Sequence, residues 1–332
     1  MTDDVVVVDT MGGLGDLLLA LPLIEALGRS HPEARLTVVT TAPWHVLLER
    51  DPRIHAVVPV PGRDGAAVTG AVRPVLERLR PDLAVTTNRQ HGLPELLAAH
   101  ARRAVTDLWR RPPADEPVDL RMLRLLVEEG VVDPALATLP PKVVLGEDEV
   151  AAGRRVLDSL GARAPVLVMP DSGMAVKHWP LASWADVVRG LAARGRTPVV
   201  VSEVAEQRRV LAEAAAAAAP ALPIRGVAGL AAAAAGLGGA AAGGDTGPVR
   251  LAAAAGLPVV GLFGPTLAAR YGYRGAAVNL QGLPGCPVRR PTAITEQECW
   301  WEARCPLTAD HAPACMADIA PAGVLAALLA AA

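Results

Sequence analysis

The sequence predicts an α/β protein of two successive halves, each built on a parallel, doubly wound sheet. Three observations carry that expectation. Val5–Val8 is an unbroken β-branched run, the pattern of a strand buried on both faces. Strand patterns then alternate with helical ones, which implies crossover connections and parallel pairing. The alternation stops in a proline- and charge-rich stretch at 105–145 and afterwards restarts.

The elements follow in order. After the first strand, Met11-Gly-Gly-Leu-Gly15 reads as a tight turn. Asp16–Gly28 reads as a helix with Leu17, Leu18, Leu21 and Ile24 at apolar positions. Further strands are expected at 36–41, 57–60 and 83–87, with helical segments between most of them. Arg110-Arg-Pro-Pro-Ala-Asp-Glu-Pro117 is loop-like, and Pro140-Pro141 with Gly146-Glu-Asp-Glu149 marks a boundary before a new helix. The second half predicts strands at 165–169, 197–202, 240–242 and 259–263. Its helices are expected at 183–193, 205–218, 248–255 and 320–331. The oligo-Ala runs 214–219 and 231–235 count as good helix formers. Residues 1–150 are the expected N-terminal domain and 151–318 the C-terminal one. The segment 319–332 is expected to pack back on the N-terminal domain.

Composition excludes several function classes. At 332 residues the chain exceeds what a single core usually supports. A hydrophobic share of 52% with a net charge of −2 is unlike a disordered chain and gives no electrostatic basis for binding nucleic acid. The start, MTDDVVVVDT, is acidic and its apolar run short, unlike a secretory signal. Glycines interrupt the most apolar stretch, 228–243, so no transmembrane helix is expected and a cytoplasmic location is. Cys286, Cys299, Cys305 and Cys315 lack the tight pair usual in zinc sites. With His311 they offer ligands for a structural metal, but buried reduced thiols or an occasional disulfide are the expected state. Aromatic residues are few: one Phe, two Tyr and six Trp. Several of them, including Trp179, Phe263, Tyr271 and Tyr273, flank the motifs below and are expected to wall a ligand cleft. Trp300-Trp301 has no evident role beyond domain packing.

Four motifs can carry chemistry. Gly12-Gly13-Leu-Gly15-Asp16 follows the first strand and opens a helix, so Gly13 and Gly15 allow close backbone approach. It lacks the third glycine of a dinucleotide fingerprint. Asp16 is a helix cap or a general base at the end of the strand, where open sheets place ligands. Met169-Pro-Asp-Ser-Gly-Met-Ala-Val-Lys177-His-Trp-Pro180 follows the first strand of the second half; Ser172 supplies a hydroxyl and Lys177 a cation. Gly243-Gly-Asp245-Thr246-Gly247-Pro248 again joins a strand to a helix, and the amides of that turn form an anion site. Its many small residues favour a phosphate or diphosphate ligand over a plain cap. Glu203 and Glu206 follow another strand, where a carboxylate can accept ribose hydroxyls.

Together these residues resemble glycosyltransferase family 9, the ADP-heptose–lipopolysaccharide heptosyltransferases. Leu14-Gly-Asp16 with Leu21-Pro22, Lys177-x-Trp-Pro180, Gly244-Asp-Thr-Gly-Pro248 with Leu251-Ala-Ala, Pro258–Thr266 and the tail ending Cys315-Met316 carry the likeness over nearly the whole chain. The resemblance implies the GT-B fold: two Rossmann-like domains with parallel sheets facing across a cleft. It implies an inverting, metal-independent enzyme with no cofactor, acting as a monomer on a nucleotide-sugar donor and a hydroxyl acceptor. That acceptor is a saccharide, a lipid-linked glycan or a small natural product. Asp16 matches the catalytic base and Lys177 the diphosphate-holding lysine. Asp245, Thr246 and Gly247 match the sugar and phosphate loop. Glu206, or equally Glu203, matches the ribose contact. Thr10 and Gly12 stand where the family usually has Arg and Ser, Arg250 where it has His, and Pro170-Asp-Ser-Gly173 replaces Pro-Gly-Ala/Thr. These departures keep two other readings open: another nucleotide sugar with a small-molecule or antibiotic acceptor, and a catalytically silent sugar-nucleotide binder. A Rossmann oxidoreductase binding NAD(P) near Gly13 and Gly15 is disfavoured by the missing third glycine and by Lys177 and Asp245. For Arg250 a solvent-facing helix position is expected.

Overall fold

The protein is described by a computed structural model covering residues 2–110 and 112–331. It forms two compact units. One holds the chain up to Pro112 together with Val118–Val144; the other holds Pro113–Pro117 and the chain from Leu145 onward.

The first unit comprises β1 (Asp4–Asp9), α1 (Leu14–Ser30), β2 (Arg35–Thr41), β3 (Ala56–Val60), α2 (Gly65–Leu79), β4 (Leu83–Thr86), α3 (Leu93–His100), β5 (Arg103–Val105) and α4 (Val118–Glu128). Its strands lie in the order β3-β2-β1-β4-β5, all parallel. Every residue of β1 is buried because helices cover both faces, which is why the run needs no polar alternation. Val6 and Val8 pack with Val39, Val72, Leu76 and Leu97 on the α2–α3 side. Successive side chains point to opposite faces, so Val5 and Val7 serve the other side.

The second unit comprises α5 (Glu147–Ser159), β6 (Pro165–Met169), α6 (Leu181–Ala192), β7 (Thr197–Val200), α7 (Ala205–Glu213), β8 (Ala217–Ala218), α8 (Ile224–Ala235), β9 (Ala240–Gly244), α9 (Gly247–Ala254), β10 (Val259–Phe263), α10 (Ala268–Tyr271), β11 (Ala277–Gln281), α11 (Ala314–Ala317) and α12 (Pro321–Ala331). Its order is β11-β10-β9-β6-β7-β8, again all parallel. Counted from β6 this is the Rossmann order 3-2-1-4-5-6. No helix among the described residues is long and apolar enough to cross a membrane.

One expectation fails. The helix read over 205–218 ends at Glu213, and Ala217–Ala218 is an edge strand paired with Val199 and Val200. Sheet pairing outweighs the helix propensity of alanine there. The last helix, α12, packs within the second unit. Val324 and Leu328 are buried with Trp184, Val188 and Leu191 against the second unit's own sheet. Gly190 of α6 makes this contact close, since a Cβ there would stand 2.5 Å from a Leu325 methyl.

The small residues of β9 also have a packing cause. A Cβ on Gly243 would lie 2.6 Å from the Met169 carbonyl oxygen and would collide with Val249. Glycine at that position lets the first turn of α9 settle directly on the end of the strand. The many small residues of that motif are thus partly a demand of packing.

Candidate functional site

Both sheets reverse their direction of growth at one pair of strands, β1/β4 in the first unit and β6/β9 in the second. Ligands of open α/β sheets bind at the carboxyl ends of such pairs. Three of the four motifs leave from these strand ends, after β1, β6 and β9, while Glu203 and Glu206 follow β7.

In the first unit the strand ends turn abruptly from valine to buried polar side chains. Asp9, Thr10, Thr40, Thr86, Thr87 and Asn88 are all buried. Thr87 Oγ1 donates to Asp9 Oδ1 at 2.6 Å, and Thr40 Oγ1 approaches the other oxygen at 3.5 Å. Asn88 Nδ2 donates to Thr10 Oγ1 at 2.9 Å. Thr10 is thus a neutral, hydrogen-bonded residue of this strand end. Among the described residues the Asp9 partners are hydroxyls rather than cations. Burial pushes its carboxyl up to about 6; the Thr87 hydrogen bond works against that rise and the nearby Asp16 charge adds to it.

Asp16 occupies the third position of α1, and its Oδ2 accepts the Gly13 amide at 3.0 Å. The carboxylate therefore does cap the helix. It remains half-buried rather than enclosed. The turn needs glycine at Gly12, which has φ +100°, and at Gly13, where a Cβ would stand 2.7 Å from Asp16 Oδ2. A Cβ at Gly15 would meet open space, so close approach there is allowed but not forced. Trp44 Nε1 donates to the Gly12 carbonyl at 3.2 Å and steadies the turn.

In the second unit a charged cluster forms where β6 and β9 end. The short 3₁₀ turn Ala175–Lys177 brings the Lys177 ammonium to the Asp245 carbonyl and to Asp245 Oδ2, both at 2.9 Å. Arg250 Nη2 donates to Asp245 Oδ1 at 2.9 Å and to the Tyr271 carbonyl at 2.7 Å. The Arg250 guanidinium also lies over the Tyr273 ring, 4.9 Å from its centroid. Arg250 is 4% exposed, so the expected helix-surface position is wrong: it faces inward, and its charge is matched there by Asp245. Burial would raise the Asp245 carboxyl, but Lys177 and Arg250 outweigh it and hold the group below the ordinary carboxylate value.

Thr246 is the N-cap of α9, yet its hydroxyl makes no cap bond and is buried with no partner among the described residues. Its amide donates to Tyr273 Oη at 3.3 Å, while Tyr273 donates to the Gly244 carbonyl at 2.7 Å. Gly247 and Pro248 begin α9. Ser172 Oγ accepts the Met174 amide at 3.2 Å and shapes the lysine loop. Glu203 and Glu206 are both exposed after β7, next to Ser202, which donates to Asp171 Oδ1 at 2.6 Å. Asp171 Oδ2 in turn accepts the Glu203 amide at 2.9 Å, tying the loops after β6 and β7 together.

The aromatic rings divide differently from expectation. Trp179 and Trp184 form an edge-to-face pair in the core, and Phe263 and Tyr273 are also buried. These rings pack between elements of the second unit. The four cysteines are free thiols that line one cavity of about 10 Å³. Burial, and then the neighbouring sulfurs, push Cys315 up to about 12. Among the described residues no three His, Cys, Asp or Glu side chains are grouped so as to hold a metal ion.

Sequence reasoning missed Asp9, Asn88 and the inward face of Arg250. An acid closing a run of doubly buried valines was the available signal for Asp9. Tyr273 is brought to Thr246 by tertiary structure alone.

Residues 88–283 match glycosyltransferase family 9 (heptosyltransferase). Lys177 and Asp245 fall inside the matched segment and Asp16 before it. No curated protein matches the sequence. Among solved structures, a glycosyl transferase family 9 protein from Veillonella parvula DSM 2008 is 18% identical, with 98% of this chain and 96% of that one covered and a TM-score of 0.78. The E. coli ADP-heptose LPS heptosyltransferase II is 18% identical over 98% of both chains, with a TM-score of 0.71. The E. coli heptosyltransferase WaaC with ADP is 18% identical over 88% of this chain and 98% of that one, with a TM-score of 0.62. At these identities the likeness is one of fold.

Proposed function

The chain belongs to glycosyltransferase family 9, and we propose that it moves a heptose from ADP-heptose to an acceptor hydroxyl, inverting the anomeric centre without a metal. The observation that carries the reading is the second unit's switch point. A lysine, a buried hydroxyl with no partner among the described residues and the opening amides of a helix meet there. Each suits a diphosphate, and no feature of a simple helix cap calls for all three.

The chemistry is a displacement at the anomeric carbon. The acceptor oxygen forms the new bond, the bond from that carbon to the diphosphate oxygen breaks, and ADP leaves with the electron pair. Asp16 takes the acceptor proton. Half-burial at the carboxyl end of β1 suits it to that task, because the carboxylate is fixed by its bond to the Gly13 amide and is not enclosed. Lys177 spends two of its three donors on Asp245, and the third serves the departing diphosphate. Thr246 and the amides of Gly247 and Val249 share the developing charge. Asp245 aims Lys177 and offers its remaining lone pairs to the sugar, while Ser172 shapes the loop. Glu206 or Glu203 accepts ribose hydroxyls, being the exposed carboxylates after β7. The cationic lysine supplies what a metal would otherwise supply. The free thiols fit a reducing, cytoplasmic setting.

A second reading changes the acceptor. Thr10, buried and bonded to Asn88, removes a cation that family members usually present there. A less anionic, small-molecule acceptor suits that exchange. Thermal shift with ADP, GDP, UDP and TDP, followed by mass spectrometry of products from ADP-heptose, tests both. A shift with ADP and transfer of one heptose support the reading. A shift with another nucleotide alone, or ADP binding without transfer to any acceptor offered, overturns it.

A further inference from the structure

Trp300 lies in a long connection between β11 and α11 that has almost no regular secondary structure. Its neighbour Trp301 is 70% exposed, whereas Trp300 is 6% exposed. What buries Trp300 is a small satellite core with Val176 and Cys299, flanked by Met174, Val288 and Ile294. Val176 and Met174 belong to the lysine loop. The connection and that loop therefore fold as one packed body, and Lys177 is the next residue after Val176.

The outcome is a specific contact. The Lys177 ammonium stands over the Trp300 ring, 5.3 Å from its centroid. That is within the range of a cation–π interaction, and tryptophan is the strongest partner for one. On its polar side the same ammonium is held by Asp245. A lysine stem is long and flexible, so a carboxylate alone fixes its head poorly. A ring plus a carboxylate removes most of that freedom before a ligand arrives.

The connection is itself anchored. Arg289 donates to the Gly264 carbonyl at 2.7 Å, to Gly282 at 2.8 Å and to Leu283 at 3.0 Å, tying it to the ends of β10 and β11. Gln297 accepts the Arg290 amide at 2.9 Å and donates to the Ile294 carbonyl at 3.1 Å just before the tryptophan. A ring on so constrained a segment makes a rigid platform.

We propose that Trp300 is a positioning residue of the donor site, its indole face holding the Lys177 ammonium in place for the donor diphosphate. The β11–α11 connection is on this view part of donor binding rather than of domain packing. The inference rests on Lys177 being the diphosphate ligand.

The test is a double-mutant cycle read by calorimetry with ADP on the full chain. Trp300→Leu is expected to weaken ADP binding about five-fold, within the roughly 2- to 30-fold span of cation–π energies. Trp300→Phe, which keeps a ring, should recover much of that loss, and Trp301→Leu should change nothing. In a Lys177→Gln background Trp300→Leu should add less than about 1.5-fold, because coupled groups are non-additive. Equal losses from Trp300→Leu with and without Lys177 would overturn the proposal while leaving Lys177 as ligand. No loss from Lys177→Gln alone would overturn both. Should Trp300→Leu fail to fold, the Trp300→Phe arm of the same cycle decides, since a weaker ring still predicts a loss that vanishes without Lys177.

Discussion

Each sheet buries a carboxylate at its switch point, and the two are treated in opposite ways. Asp9 closes β1 among threonines, with hydroxyl partners among the described residues, and burial lifts it to about 6. Asp245 follows β9 between Lys177 and Arg250 and is held below the ordinary value. Burial penalises both charges to begin with, so the sign of the outcome is set by the partners. Two cations around one carboxylate leave a positive cluster suited to a diphosphate. A poorly compensated acid behind Asp16 makes the first unit's site negative, where a proton is to be taken up.

The comparison can be broken at several points. The largest effect is expected from Asp16→Asn. The amide oxygen can still accept the Gly13 N–H, so the fold and ADP affinity should hold, while turnover falls by about 10²–10⁴ as general-base help is lost. Turnover near the wild-type rate would remove Asp16 from the chemistry.

Next comes Arg250→Met. It leaves Asp245 with one cation and should cost the second unit about 3–5 kcal/mol, read as a lower urea midpoint. Arg250→His should regain part of that only below about pH 6.5, where imidazole is charged. Recovery independent of pH would mean that shape, not charge, is what Arg250 supplies.

Asp9→Asn should have the opposite sign. A native value of about 6 against an ordinary 3.8 means that the folded state binds more protons between those pH values. Stability of the first unit therefore falls as pH rises from about 4 to about 6, by about 3 kcal/mol, and stays low above. Asp9→Asn should abolish that fall and stabilise β1 at pH 7, measured by slower amide exchange in its peptides. Asp245 works the other way. Its depressed value adds stability as pH rises through the range below 3.8, complete above it, and Asp245→Asn should remove that gain. The smallest effect is expected from EDTA, which should alter turnover by less than about two-fold if Lys177 and the α9 amides do the work of a cation. A large loss restored by one divalent ion would point to metal assistance.

Much of this architecture was legible in the chain itself. Val5–Val8, the turn at Gly12–Gly15 and the strand–glycine–helix junction at Asp245–Pro248 are local patterns whose physics is complete within a few residues. Strand alternating with helix forces parallel pairing, so the sheets followed from periodicity alone. Lys177, Asp245 and Thr246 were legible as candidates because they stand beside such junctions. Tertiary structure decided the rest. Ala217–Ala218 became a strand because an open sheet edge beside Val199–Val200 offers pairing that alanine's propensity cannot match. Helix α12 turned to its own unit's sheet because Val324 and Leu328 find a groove beside Trp184 there. The charge states of Asp9 and Asp245, the inward turn of Arg250 and the platform under Lys177 depend on residues brought together across up to 123 positions of sequence, from Lys177 to Trp300. Local pattern sets which element forms; burial and charge pairing, which are properties of the packed interior, set what each side chain does.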